Sequence, residues 1–302
     1  MRVVVFGATG TIGQPLVQAL RDQHDVVAVS RQTHSDQTDV EWVRADLSDA
    51  ASVARALEGA EMAYYLAHSL GTDDFEQHDR RAARVFAGEA GRAGLQQIIY
   101  LGGLGDESPD LSPHLRSRAE TGRLLASGPV PVTTLRAAVV IGKGSAAFET
   151  IVALVRRLPA MICPRWVSTP TQPIALDDVV NYLAGVCGRT EALGRNFDVG
   201  GPEVMTYREM IERIGRILGR HPLIVEVPVL TPKLSSYWLR LVTPVRASVA
   251  RPLIEGLKNP TVAHEQTIRR LVPIPLTPFD TAARTALSAK KTTAAADETP
   301  EG

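Results

Sequence analysis

No lysine precedes Lys143 in this chain of 302 residues, and Cys163 and Cys187 are its only cysteines. The first absence denies the N-terminal half any ammonium group beside a reacting side chain. The second excludes a disulfide framework, and the two cysteines show neither CxxC nor metal-ligand spacing, so no metal or thiol site is expected. An excess of one charge is missing too. The 33 basic and 33 acidic side chains cancel, so no overall field draws the chain to nucleic acid, and no basic cluster points to such a partner. Long apolar runs are also absent. The most membrane-like stretch, 237–257, is broken by Arg240, Pro244, Arg246, Arg251 and Pro252, which rules out a transmembrane span. It has two open readings, amphipathic helices covering a substrate cleft or a peripheral membrane contact. The first residues run directly into a strand pattern without signal-peptide features, from which a cytoplasmic location is expected.

What is present is an alternation of strand and helix patterns, with 44% hydrophobic residues to build a core. Apolar, β-branched runs predict strands over 2–6, 25–30, 40–44, 61–66, 97–101 and 130–136. Helical spacing falls between them, over 11–22, 49–57, 73–91 and 115–126, with Ser48 or Asp49 capping the second helix. This order predicts an α/β fold, a Rossmann-type doubly wound parallel sheet, with its ligand crevice beside Gly7, Ser30, Leu66 and Gly102. After residue 141 the rhythm changes to a helix over 146–157, a proline-dense stretch and a helix over 177–187. We therefore expect a dinucleotide-binding core over 1–145, a smaller interwoven C-terminal substrate cap over 146–287, and a disordered tail over 288–302.

The turn after the first strand reads Gly7-Ala-Thr-Gly-Thr-Ile-Gly13. Three glycines at this spacing allow a tight turn, close approach of a pyrophosphate and tight helix packing, while free N–H groups at the helix start face the anion. Gly7, Thr9, Gly10, Thr11, Ile12 and Gly13 are the expected contacts of a dinucleotide. At the end of the second strand, where an acidic residue would meet a ribose 2′-hydroxyl, stands Arg31. A guanidinium pairs with a 2′-phosphate in fork geometry, which favours NADP(H) over NAD(H). The plain alternative is a solvated loop residue. Asp46 is suited either to the adenine amino group or to capping the next helix, with Leu47 beside it. Leu66, Ala67 and His68 close the fourth strand on the expected nicotinamide side.

These pieces, with Ala45-Asp-Leu47, Tyr65-Leu-Ala-His-Ser69, Pro173-Ile-Ala-Leu-Asp-Asp-Val179 and Asn196-Phe-Asp-Val-Gly-Gly-Pro202, give the chain a likeness over residues 1–287. It resembles the short-chain dehydrogenase/reductase superfamily, specifically its atypical, NmrA-like and extended members. The resemblance implies NAD(P) binding and a catalytic Ser or Thr with a Tyr-x-x-x-Lys pair, the lysine lowering the tyrosine's pKa for proton transfer. Here Gly102 and Gly103 occupy the hydroxyl position, and the absence of early lysine removes the pair.

His114 and Arg118 stand in its place, four residues apart and on one helix face if the helix already includes His114. Arg118 can replace the lysine's charge but gives up no proton. His114 is expected to donate one near neutrality. A cap role for His114 and a cofactor role for Arg118 are the alternative. His68 is either a further candidate or part of the cofactor wall.

The leading expectation is an NADPH-dependent reductase of a carbonyl or conjugated double bond in an apolar small molecule. Val152, Leu154, Met161, Trp166, Leu234, Tyr237, Trp238 and Leu241 are candidates to line its pocket or to form ordinary core. The alternative is a non-catalytic NADP(H)-sensing or assembly protein with a protein partner. A nucleotide-sugar epimerase or dehydratase ranks third, because it needs the missing tyrosine.

Overall fold

The computed structural model of the chain describes residues 1–33, 40–68, 74–105, 111–227 and 256–296. The first half alternates as β1 (Arg2–Phe6), α1 (Gly13–Leu20), β2 (Asp25–Ser30), β3 (Glu41–Arg44), α2 (Ala50–Ala56), β4 (Met62–Tyr65), α3 (Phe75–Ala93), β5 (Gln97–Gly103), α4 (Pro113–Ala126) and β6 (Val132–Ala137). There follow β7 (Val140–Ile141), α5 (Ala146–Arg157), β8 (Ala160–Pro164), β9 (Pro170–Thr171), β10 (Ile174–Ala175), α6 (Leu176–Gly185), β11 (Asn196–Val199), β12 (Met205–Thr206), α7 (Tyr207–Ile217) and β13 (Leu223–Val227). The last described elements are α8 (Thr267–Leu271) and α9 (Phe279–Ala296).

Seven strands share one sheet in the order β11-β6-β5-β4-β1-β2-β3, every pair parallel. The chain thus winds outward from β1 in both directions, the Rossmann-type doubly wound arrangement. Its strand order reverses at β1 and β4, where a crevice opens at the carboxyl ends. Six strands are those anticipated in the first half. The seventh, β11, returns from the later part of the chain to pair with residues 134–137 of β6.

Alternation along each strand divides the core between the two faces of the sheet. Val3 and Val5 point with Leu16, Leu20, Val179 and Leu183 into the layer under α1 and α6. Val4 and Phe6 point the other way, with Phe86 and Ala90 of α3. In that second layer Phe86 meets the Phe6 and Tyr65 rings edge-on at 5.1 and 5.0 Å. Full burial of each large apolar side chain contributes about 1.5–3 kcal/mol. A third cluster joins α5, α7 and α9 through Ile151, Met210, Ile214 and Phe279, and it holds Val152 and Met161, with Leu154 and Trp166 packed against it.

Some boundaries differ from the sequence reading for local reasons. Helix α1 begins at Gly13 because residues 11 and 12 complete the preceding turn. Helix α4 begins earlier than expected, at Pro113. The Ser112 hydroxyl accepts from Leu115 N at 3.3 Å, and proline suits the first helical position, whose N–H would lack a partner. Helix α9 continues past Ser288, where a tail is expected, to Ala296. Residues 297–302 lie outside the described residues, as do Leu234, Tyr237, Trp238, Leu241 and nearly all of the 237–257 stretch. Among the described residues no helix is long and apolar enough to cross a membrane.

Candidate functional site

The site is assembled where the strands end. After Phe6 the chain turns at Gly7, whose φ of +88° suits glycine, and Gly10 N closes the turn by donating to Gly7 O at 3.0 Å. Gly13 answers a different demand, since a Cβ there would lie 2.1 Å from Gly7 O. The tight turn and the close packing of helix on strand therefore come from separate glycines. Ile12 at the N-cap position supplies no side-chain hydrogen bond to α1, and Thr9 and Gly10 are exposed. This open helix start, cradled against a turn with no room for a side chain, fits a dinucleotide diphosphate.

Arg31 is exposed directly beyond β2. Asp46 accepts from Ser48 N at 2.8 Å and from Ser48 Oγ at 2.7 Å. The Ser48 bonds hold its carboxyl below the usual carboxylate range, with the charge of Arg31 adding to the effect. The cap of α2 is instead Asp49, which accepts from Ala51 N at 3.1 Å. Leu47 and Leu66 are half-buried against opposite layers of the core. Leu66 N donates to Phe6 O at 3.0 Å, and Ala67 N would lie 3.1 Å from a Cβ built on Gly7.

A cavity of about 340 Å³ opens beside this turn, bounded by Thr11 and Ile12, the end of β5, the start of α4 and the loop after β7. It brings together His68, His114 and Arg118, whereas Arg31, Asp46 and Leu47 lie outside its lining. Because α4 starts at Pro113, His114 is inside the helix, and Arg118 follows one turn later on the same wall. The Arg118 guanidinium donates to the Leu101 carbonyl at 2.5 Å and sits 5.4 Å from the Tyr100 ring centroid. Tyr100 in turn donates its hydroxyl to the Arg118 carbonyl at 2.9 Å, fixing that turn of α4.

Removal from bulk solvent pushes His68 down to about 4 and His114 to about 3, and the Arg118 charge pushes both further in the same direction. His68 keeps surface open to the cleft, so its shift reflects a deep concave wall and not a packed core. Both imidazoles are consequently neutral at pH 7. The expectation that His114 titrates near neutrality thus meets a burial and a neighbouring charge that sequence spacing does not reveal.

Gly102 and Gly103 stand at the end of β5 as read from the sequence. A Cβ on Gly103 would come 2.8 Å from Leu115 Cδ2, so Leu115 occupies the space a hydroxyl-bearing side chain would take. Three contributions escaped the sequence reading. Thr11 Oγ1 donates to Gly144 O at 2.9 Å, joining the glycine turn to the loop before α5. Tyr207, at the start of α7, lines the cavity and packs edge-on to Trp166 at 6.3 Å. Thr261 lines it too, donating its hydroxyl to Thr171 Oγ1 at 2.8 Å. Thr206 and Glu209 form a capping box at the start of α7, which places Tyr207 at the cavity.

Comparison with known proteins agrees with this geometry. Residues 7–139 match the NAD(P)H-binding family. The chain is 26% identical over 222 residues to a (4-alkanoyl-5-oxo-2,5-dihydrofuran-3-yl)methyl phosphate reductase of Streptomyces griseus, covering 72% of this chain and 74% of that protein. It is 23% identical over 241 residues to the mitochondrial NADH dehydrogenase (ubiquinone) 1 alpha subcomplex subunit 9 of Arabidopsis thaliana, covering 74% of this chain and 60% of that one. In fold it is similar to the crystal structure of Citrobacter sp. triphenylmethane reductase complexed with NADP(H). The TM-score is 0.75 at 18% identity, over 95% of this chain and all of that one. Residues 7–139, which carry the glycine turn and five of the seven strands of the doubly wound sheet in full, thus match a model of NAD(P)H binding, and the chain is similar to reductases in sequence and in fold.

Proposed function

We propose that the chain is an NADPH-dependent reductase acting on a carbonyl or conjugated double bond of an apolar small molecule. The observation that carries this reading is a cavity beside the glycine turn in which three nitrogen-bearing side chains, His68, His114 and Arg118, meet a largely apolar wall. The dinucleotide, when bound, supplies hydride. Residues 7–13 hold its diphosphate, Arg31 pairs with a 2′-phosphate, and Leu66, Ala67 and His68 wall the nicotinamide side. Residues 1–145 then act as the cofactor-binding half and 146–287 as the cap over the substrate. Arg118 provides the fixed positive charge that a lysine would otherwise bring. The neutral His114 donates a hydrogen bond to the oxygen that gains charge during reduction. The last proton comes from water.

A panel of quinones, enones and aldehydes, assayed for NADPH oxidation, tests the reading. Turnover that falls roughly tenfold to a hundredfold in His114→Ala is expected. Absence of turnover across the panel overturns it. A second reading, an NADP(H)-binding assembly or sensing protein, is favoured by the glycines at 102 and 103 and the missing lysine. It gains support if a protein partner co-purifies only in the presence of the nucleotide while no substrate is reduced.

A further inference from the structure

The groups that can carry charge in the cavity beside α4 are all of one kind. Apolar side chains such as Leu101, Leu104, Val139 and Leu257 form much of its wall, and His68, His114 and Arg118 cluster within it. Among the described residues no carboxylate lines this space. The Arg118 guanidinium is satisfied geometrically by the Leu101 carbonyl and the Tyr100 ring face, neither of which neutralises its charge. A partly desolvated cation in that position is short of a counter-ion. The glycine turn reaches the cavity at Thr11 and Ile12, whereas Gly10, Gly13 and Arg31, the other groups assigned to the dinucleotide's anions, are not part of its lining.

Resting on the reading that this cavity receives the substrate, we infer that the substrate carries an oxyanion, a carboxylate or phosphate, held among Arg118, His68 and His114, with its apolar body along the leucine-lined wall. The charged and titratable groups acting on His114 are Arg118 from its own helix and His68 from the segment after β4, and Tyr207 of α7 lines the same cavity. Asp79 of α3 accepts from Ser117 at 3.2 Å. Burial, and after it the Arg118 charge, keeps both imidazoles neutral, and arrival of an anion offsets the Arg118 contribution and favours a proton on the pair. Substrate binding and proton uptake are therefore coupled.

The test is calorimetric titration of the NADP⁺-loaded chain at pH 7 in two buffers of different ionisation heat. The ligands are 3-oxooctanoate against its methyl ester, and octyl phosphate against octanol. At least one anion should bind about tenfold or more tightly than its neutral counterpart, the strength expected of a charge-assisted pair, with net proton uptake. The two arms distinguish carboxylate from phosphate. Arg118→Gln should erase the preference, Arg118→Lys should keep most of it, and His114→Gln should reduce proton uptake. Equal binding of anion and neutral counterpart in both arms, binding of none of the four, or a preference that survives Arg118→Gln overturns the inference. NADPH oxidation as fast with the ester as with the acid overturns the anion assignment and leaves the reductase reading intact. Anion-selective binding with no NADPH oxidation by any of the compounds does the reverse.

Discussion

At Gly13 a methyl group would sit 2.1 Å from a carbonyl oxygen of the preceding turn, a distance only backbone movement can relieve. Gly13→Ala is expected to destabilise the fold by about 2–4 kcal/mol and to weaken NADPH binding together with it, readable by denaturant titration and nucleotide fluorescence. Arg31 makes a sharper contrast, because it lies on the surface and outside the core. Arg31→Glu should leave stability within about 0.5 kcal/mol of the parent while lowering NADPH affinity roughly tenfold or more and sparing NADH. Equal NADPH affinity in the two proteins removes the 2′-phosphate assignment. The glycine turn was legible because it follows from backbone geometry, whereas the 2′-phosphate role of Arg31 is the proposal that this variant tests. The neutrality of His114 was not legible, since it depends on Arg118, His68 and the cavity walls that only folding assembles.

Helix α4 carries the candidate chemistry, so its first turn matters more than its length. Ser112 caps that turn, and Ser112→Ala should cost about 1 kcal/mol while loosening His114, seen as a lower melting temperature and a larger fractional loss of turnover than of NADPH binding. The Ser-Pro pair at 112–113 was an available start signal, and it explains why the helix begins before the expected residue 115. Strand β2 and helix α5 match their expected spans because β-branched runs and amphipathic spacing are local signals. The two-residue strands β7, β9, β10 and β12 carry no such periodicity, and their pairings join distant segments. Sequence motifs found the residues around them without their purpose. Asp178, in the Leu-Asp-Asp-Val start of α6, accepts from Thr277 N and Oγ1 at 2.8 and 2.9 Å and ties the C-terminal segment down.

Across the whole molecule, acid sensitivity follows from the lowered histidines. His24, His68 and His114 all sit below their ordinary value, so the unfolded chain takes up their protons first as pH falls. Their stabilisation is fully present above about pH 6.5 and is lost towards pH 4 and 3. Asp46 and Glu203, held low by Ser48 and by Arg213 respectively, extend the loss below about pH 4.5 by the same sign. Denaturation midpoints should therefore decline from pH 6.5 downward and steepen below 4.5, and His114→Gln should flatten the upper part of that slope. The parallel sheet was legible as a whole, but its outer edge was not. There the buried Asp198 of β11 meets Arg136 Nε at 2.8 Å and accepts from His264 N at 3.0 Å, a bond across 66 positions. Seen as a timetable, that edge cannot be finished in the order in which the chain is made. Six strands and the cofactor turn are synthesised before β11, which then waits for residue 264 to complete its carboxylate's bonds and for Thr277 to fasten α6. A nascent chain stopped between these points would hold the glycine turn but lack the fasteners of its outer edge, so shortened products should betray themselves to proteases at β11 before the cofactor turn is touched.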